Sequence, residues 1–306
     1  MNILFAGTPN SSSRILQHLI NVKSINIKGV ITQPDKRGKR GKDLLESEVS
    51  KVAKTAGLDI FKPDNLNNQD FVEKIKLLKI DYMIVVAYGR LIPRWLLELP
   101  KIMALNIHYS ILPKYRGASP IQSSLINGDT ITGVTFMKMT EALDEGMVLS
   151  THKLNIENDD NKITLEEKLT ELSIEHVTRV MVDAKKGVFS FREQENHLAT
   201  YCKKILKEDS ISNFDNNAVN IINKFRAFFE WPGLNFKFKD TLIKIHDISI
   251  SNEKSNGLPG TINKIDKSGV YVNTRDSVVV ITHLQFPNKN KISSTDVFNS
   301  YASFFK

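Results

Sequence analysis

The first 110 residues alternate short β-branched runs with stretches of helical periodicity, and this alternation constrains the fold more than any other feature. Parallel strands cannot be joined by tight hairpins; each link needs a crossover of a dozen or more residues, usually a helix. Strands are expected over 2–6, 26–32, 58–62, 81–87 and 104–110, with helices over 11–22, 44–56, 68–79 and 94–99 between them. Ser119-Pro120 reads as an N-cap followed by a first-turn proline, and Gly128 lies just past the short helix expected over 120–127. Two further strands, over 133–139 and 147–154, flank a turn at Asp144-Glu145-Gly146. Thr164 with Glu167 forms a capping-box pattern that opens a long amphipathic helix running to Gly187.

Residues 189–208 contain few large apolar side chains and read as a linker. A helix near 218–230 then precedes five short strands over 235–239, 242–250, 260–266, 269–274 and 277–286, the pattern of a small barrel of the oligonucleotide-binding type. A last helix over 295–305 is expected to pack Val297, Tyr301 and Phe304 against it. The organisation is therefore an α/β domain over 1–188, a linker over 189–208 and a barrel domain over 209–306, a division that suits a chain of 306 residues.

Cys202 is the sole cysteine, which excludes an intrachain disulfide and a cysteine zinc cluster. No run reaches membrane-spanning length and no basic leader precedes the first strand, so a cytoplasmic protein without membrane association is expected. The formal charge is +8, and residues 201–306 hold 15 Lys/Arg against 10 Asp/Glu, which favours anionic partners. A second basic feature is local: Lys36, Arg37, Lys39, Arg40 and Lys42 crowd one glycine-punctuated stretch after Pro34-Asp35. On composition alone, a solvated loop is the simpler reading of that stretch.

The most informative segment is 104–110. Side chains alternate along a strand, so Asn106, His108 and Ser110 project to one face and Leu105, Ile107 and Tyr109 to the other. A buried parallel strand should be apolar on both faces, so an amide and an imidazole side by side mark either a site or a solvated strand end. The loop over 110–120 leaves the carboxyl end of that strand, where ligands bind in open α/β sheets, although a proline-pinned connection would also account for it. Asp144 before Glu145-Gly146 is ordinary turn chemistry unless the turn folds over Asn106 and His108; it would then complete an Asn/His/Asp group suited to acyl transfer. The chain has no GxGxxG or Walker A sequence, no HExxH spacing and no GxSxG elbow, and no metal site is expected.

Taken together, Asn106-x-His108, Ser110-Ile111-Leu112-Pro113, Arg116-Gly117-Ala118-Ser119-Pro120-Ile121-Gln122 and Leu143-Asp144-x-Gly146 resemble the folate-dependent formyltransferases. Further matching segments are Phe5-Ala6-Gly7-Thr8-Pro9, Thr32-Gln33-Pro34-Asp35, Val85-Val86-Ala87-Tyr88-Gly89, Thr200-Tyr201 and Trp231-Pro232-Gly233, so the resemblance runs nearly the full length. It implies a Rossmann-like formyltransferase domain followed by a small C-terminal β-barrel (OB-like) domain. The implied catalytic group is Asn106, His108 and Asp144, and the implied cosubstrate is 10-formyltetrahydrofolate, lined by Val86, Tyr88, Gly89, Ser110, Ile111, Leu112 and Pro113. The implied acceptor is the α-amino group of methionyl initiator tRNA, formylated for translation initiation by a monomeric enzyme, with an amino-sugar nucleotide as the alternative acceptor. Lys36, Arg37, Lys39, Arg40 and Lys42 would reach the acceptor end of the tRNA, with Arg40 at the position of the family's most important arginine. Three departures stand out: Ile111 in a loop that usually reads Ser-Leu-Leu-Pro, Asn10-Ser11 for a common Asp-Phe, and Met147 where a second aspartate is frequent.

Overall fold

A computed structural model describes residues 1–37 and 44–306. The chain forms two compact units. One comprises Met1–Pro120, Ile131–Asn155 and Leu165–Cys202; the other comprises Ile121–Thr130, Ile156–Thr164 and Lys203–Lys306.

The first unit is built on a seven-stranded sheet. Its strands are β1 (Asn2–Gly7), β2 (Asn26–Ile31), β3 (Ile60–Phe61), β4 (Tyr82–Val86), β5 (Met103–His108), β6 (Ile131–Lys138) and β7 (Val148–Asn155). The spatial order is β7-β6-β5-β4-β1-β2-β3, parallel from β3 to β5 and antiparallel at β6 and β7. The order reverses between β1 and β4, which makes a topological switch point there. β4 and β5 are buried along their whole length, the pattern required of strands covered on both faces. The covering helices include α1 (Asn10–Asn21), α2 (Glu48–Thr55), α3 (Gln69–Lys76), α4 (Arg94–Leu97) and, after the short α5 (Pro120–Ile126), the long α6 (Lys162–Lys185). Leu4, Ala6, Met83 and Val85, alternate residues on β1 and β4, pack with Phe71 and Ile75 of α3. Each of the larger side chains contributes about 1.5–3 kcal/mol by leaving water.

Three expectations are corrected here. The helix expected over 44–56 begins only at Glu48, because the Ser47 hydroxyl accepts from Ser50 N and caps it, while exposed Leu44 and Leu45 pair with Lys36 and Arg37 as a two-residue ladder. The long helix starts at Lys162 rather than at Thr164: the Asn161 side-chain Oδ1 accepts from Ile163 N and Thr164 N, and the Thr164 hydroxyl turns to Asp160. The segment read as a linker is built into the first unit as far as Cys202. Arg192 and Val148 exchange backbone hydrogen bonds at 2.8 and 3.0 Å, and Tyr201–Cys202 pairs in parallel with Arg116–Gly117. Backbone pairing of this kind needs no apolar periodicity, so the sequence pattern carries no sign of it.

The second unit is organised around an antiparallel sheet in the order β8-β9-β12-β11-β10, with β8 (Leu234–Phe238), β9 (Thr241–Ser251), β10 (Ile262–Asp266), β11 (Gly269–Asn273) and β12 (Val278–Gln285). Leu234 and Phe236, Ile243 and Ile245, Val270 and Val272, and Val279 and Ile281 point inward at the period of two that strands impose. Ala218 and Ile221 of α7 (Ala218–Ala227) and Val297 of α8 (Ser294–Tyr301) join that core, with Tyr301 and Phe304 against it, as the sequence suggests. Ser293 and Asp296 cap α8 reciprocally.

Within the first unit, His152 of β7 stacks on His176 of α6, with ring centroids 3.6 Å apart and an interplanar angle of 14°. Burial and the neighbouring His176 hold the His152 imidazole below its ordinary value. The unfolded chain therefore takes up this proton first, and stability falls as the pH drops below about 6.5, levelling off below the folded value. The expected outcome is that His152→Gln loses less melting temperature than the parent chain between pH 7.5 and 5.5. An identical slope in the two proteins would rule this contribution out.

Candidate active site

β5 lies between β4, its parallel neighbour, and β6, its antiparallel one, with Asn106 opposite Met137 and His108 opposite Thr135. Asn106 and His108, two residues apart, share a face and are 8% and 6% exposed. The connection from β6 to β7 brings Asp144 to them. Asn106 Nδ2 donates to Asp144 Oδ1 at 3.2 Å, and the backbone N–H of Gly117 donates to Asp144 Oδ2 at 2.8 Å. His108 Nδ1 lies 3.7 Å from Asp144 Oδ2, within ion-pair range but longer than a hydrogen bond. The structure thus assembles the three residues that the motifs singled out.

The other ring nitrogen decides the tautomer. His108 Nε2 is 2.9 Å from the carbonyl oxygen of Tyr115, which can only accept, so Nε2 carries a proton. Nδ1 is then the nitrogen that faces the carboxylate.

Asp144 is held in the left-handed region, at φ +53°. Two residues on, Gly146 is required by a close approach: a Cβ there would stand 1.7 Å from the Lys138 carbonyl oxygen. A sequence of aspartate, any residue and glycine satisfies both conditions, which is why that turn reads as it does.

The loop after β5 is fixed by buried hydroxyls. The Thr135 hydroxyl donates to Ser110 O at 2.6 Å and accepts from Leu112 N at 3.2 Å; the Ser110 hydroxyl donates to Lys114 O at 2.6 Å. Leu112 packs on Met137 and Val148. The segment 86–89 leaves the neighbouring strand end. Ala87 and Gly89 both have positive φ, the Val86 carbonyl accepts from the Ser12 hydroxyl at 2.6 Å, and the Tyr88 carbonyl accepts from the Thr8 hydroxyl and the Gln33 amide. The Tyr88 ring lies in the apolar core with Leu66, Phe71 and Ile92, and burial raises its phenol pKa. Tyr88 therefore belongs to this rim through its main chain. Segments 86–89 and 110–113 thus sit together at the carboxyl ends of adjacent parallel strands.

The basic stretch is placed only in part. Lys36 is exposed and pairs with Leu45 in the short ladder, and Arg37 pairs with Leu44; Lys39, Arg40 and Lys42 lie outside the described residues. Residues outside the expected site set also enter the site. Arg116, 1% exposed, donates to the side chains of Gln194 and Asn196, and Gln194 in turn reaches the Asp144 turn. Arg116 could be read from its motif, whereas Gln194 lies in the supposed linker.

Residues 1–181 match the model of the formyl transferase family, and residues 204–302 match that of the formyl transferase C-terminal domain. The chain belongs to the formyl transferase family. The resemblance carried by the motifs is borne out, and with it the Rossmann-like first domain and the sheet-based second. The chain is 38% identical over 306 residues to methionyl-tRNA formyltransferase of Caldicellulosiruptor saccharolyticus, covering 98% of this chain and 97% of that protein. Among solved structures, the fold is similar to that of WlaRD, a sugar 3N-formyl transferase, with a TM-score of 0.67 at 19% identity, covering 95% of this chain and 99% of that one. It is also similar to HypX from Aquifex aeolicus in complex with tetrahydrofolic acid, with a TM-score of 0.61 at 19% identity over 97% of this chain. The chain spans 46% of the length of that protein.

Proposed function

We propose that this formyl transferase moves a formyl group from 10-formyltetrahydrofolate to the α-amino group of methionyl initiator tRNA, acting as a monomer in the cytoplasm. The observation that carries the acceptor is the full-length similarity to a methionyl-tRNA formyltransferase; the chemistry is supported by the joined Asn106, His108 and Asp144. The donor set fits the folate. An amide N–H, a ring nitrogen and a carboxylate stand beside two main-chain segments at adjacent strand ends. Ser110, Ile111, Leu112 and Pro113, with the main chain of Val86, Tyr88 and Gly89, would hold it, and it supplies the formyl carbon.

Transfer to an amine develops negative charge on the formyl oxygen and releases one proton from the attacking nitrogen. Asn106 has two amide N–H groups; one holds Asp144, and the second is available to the developing oxyanion. His108 contributes a second donor through Nδ1. Asp144 balances the imidazolium charge and takes the amine proton, directly or through water, so that it can be returned to the departing nitrogen. Because Nε2 is committed to Tyr115 O, the ring cannot rotate away during that exchange without losing a buried hydrogen bond.

The basic stretch with Arg40 and the C-terminal domain would bind the tRNA chiefly through phosphates, which makes acceptor binding steeply salt-dependent. Arg40→Ala is expected to weaken binding of the charged initiator and its selection over elongator tRNA, with folate binding unchanged. Offering methionyl initiator tRNA and a nucleotide-linked amino sugar as separate acceptors tests the assignment. Product on the tRNA alone is the expected result, and product on the sugar alone would transfer the reading to that class.

A further inference from the structure

A side chain from the supposed linker reaches the turn that carries Asp144. Gln194 Nε2 donates to the carbonyl oxygens of Asp144 and Gly146, both at 2.8 Å. Its Oε1 accepts from Arg116 Nε at 3.0 Å and from Arg116 Nη2 at 2.9 Å. A guanidinium has donors only, so the amide oxygen must face Arg116 and the amide N–H groups must face the two carbonyls. The orientation of Gln194 is thus dictated by its neighbours. Arg116 is itself fixed by Asn196 Oδ1 at 2.7 Å, by the Tyr201 hydroxyl at 3.2 Å and by Glu145 Oε1 at 3.2 Å.

The residue gripped in this way is the one whose backbone needs holding. Asp144 sits at φ +53°, a conformation that a side-chain-bearing residue keeps only when its surroundings over-determine it. The carboxylate is anchored by Gly117 N and Asn106, and the carbonyl by Gln194. If the carbonyl is released, the turn relaxes toward right-handed φ and the carboxylate shifts off the His108 ring.

We propose that Gln194 is a positioning residue for formyl transfer: its amide clamps the Asp144 turn in the left-handed conformation that aims the carboxylate at Asn106 and His108, and Arg116 clamps the amide. The proposal rests on the reading of Asp144 as the group that takes the amine proton.

The test uses the full-length chain in single-turnover formyl transfer from 10-formyltetrahydrofolate to methionyl initiator tRNA, with folate binding measured alongside. Gln194→Met keeps length and volume without the donors. It is expected to lower the single-turnover rate constant by about 10- to 100-fold, as a misplacement of about 1 Å does, with folate Kd and the half-saturating acceptor concentration little changed. Gln194→Glu still accepts from Arg116 but sets oxygen against the two carbonyls, and a loss at least as large is expected; it carries the test if the methionine variant does not fold.

The decisive comparison is made in an Asp144→Asn background. If Gln194 acts through the carboxylate, adding Gln194→Met there costs less than about twofold, because the two losses are not independent. A full multiplicative loss in the double variant would overturn the clamp and leave a general packing role. Wild-type turnover in Gln194→Met, with Asp144→Asn strongly impaired, would overturn the clamp alone. Wild-type turnover in Asp144→Asn would overturn the reading of the site and the clamp with it.

Discussion

Asn106→Ala is expected to lower the turnover of formyl transfer by about 10²- to 10³-fold, the range measured when one oxyanion donor is removed. Two effects combine in that number. The substitution deletes the N–H group available to the formyl oxygen, and it deletes the 3.2 Å hydrogen bond that anchors Asp144 Oδ1. Asn106 is 8% exposed, so water replaces it poorly. Folate binding should persist, because the segments proposed to hold the folate are fixed independently by Thr135, Ser12 and Gln33. Single-turnover rates with equilibrium folate binding separate the two. Near-normal turnover would sink the oxyanion assignment, and loss of folate binding in step with turnover would make Asn106 a binding residue.

The second large effect is on folding. Gly146→Ala places a methyl carbon 1.7 Å from the Lys138 carbonyl oxygen and 2.9 Å from its carbonyl carbon. Both partners are backbone and belong to the β6 end of the turn, so the clash cannot be relieved by rotating a side chain. The expected cost is about 3 kcal/mol or more, the upper range for overpacking. In a unit of this size that corresponds to roughly 6–12 °C in melting temperature. Activity should fall further than stability alone explains, since the same turn presents Asp144. Gly187→Ala is the control: its φ of +69° is comparably left-handed, but nothing lies within 4 Å of the added carbon. Its cost should be only the roughly 1–2 kcal/mol of that backbone region. Equal melting temperatures for the two variants would contradict the close-approach argument.

What could be read in the sequence divides along physical lines. Strands buried on both faces and helices with one apolar stripe leave periodic traces, and the central strands of both units lie within a few residues of where those traces put them. Asn106 and His108 were legible because polar residues interrupt a run that burial should keep apolar. Asp144 was legible through its turn, although only the folded chain shows the carboxylate meeting the Gly117 N–H. Helix starts were misplaced where a neighbouring side chain competes for the cap, as Asn161 does with Thr164. The segment 192–202 was illegible because it is held by backbone pairing and by the polar contacts of Gln194 with Arg116, and neither leaves a pattern in hydrophobicity.

The most direct measurement is formyl transfer from 10-formyltetrahydrofolate to methionyl initiator tRNA, run beside methionyl elongator tRNA and uncharged initiator tRNA. Product on the charged initiator, little on the elongator and none on the uncharged tRNA is the expected result. Folate binding without product on any methionyl-tRNA would contradict the proposed acceptor, and with it the role assigned to the basic stretch around Arg40.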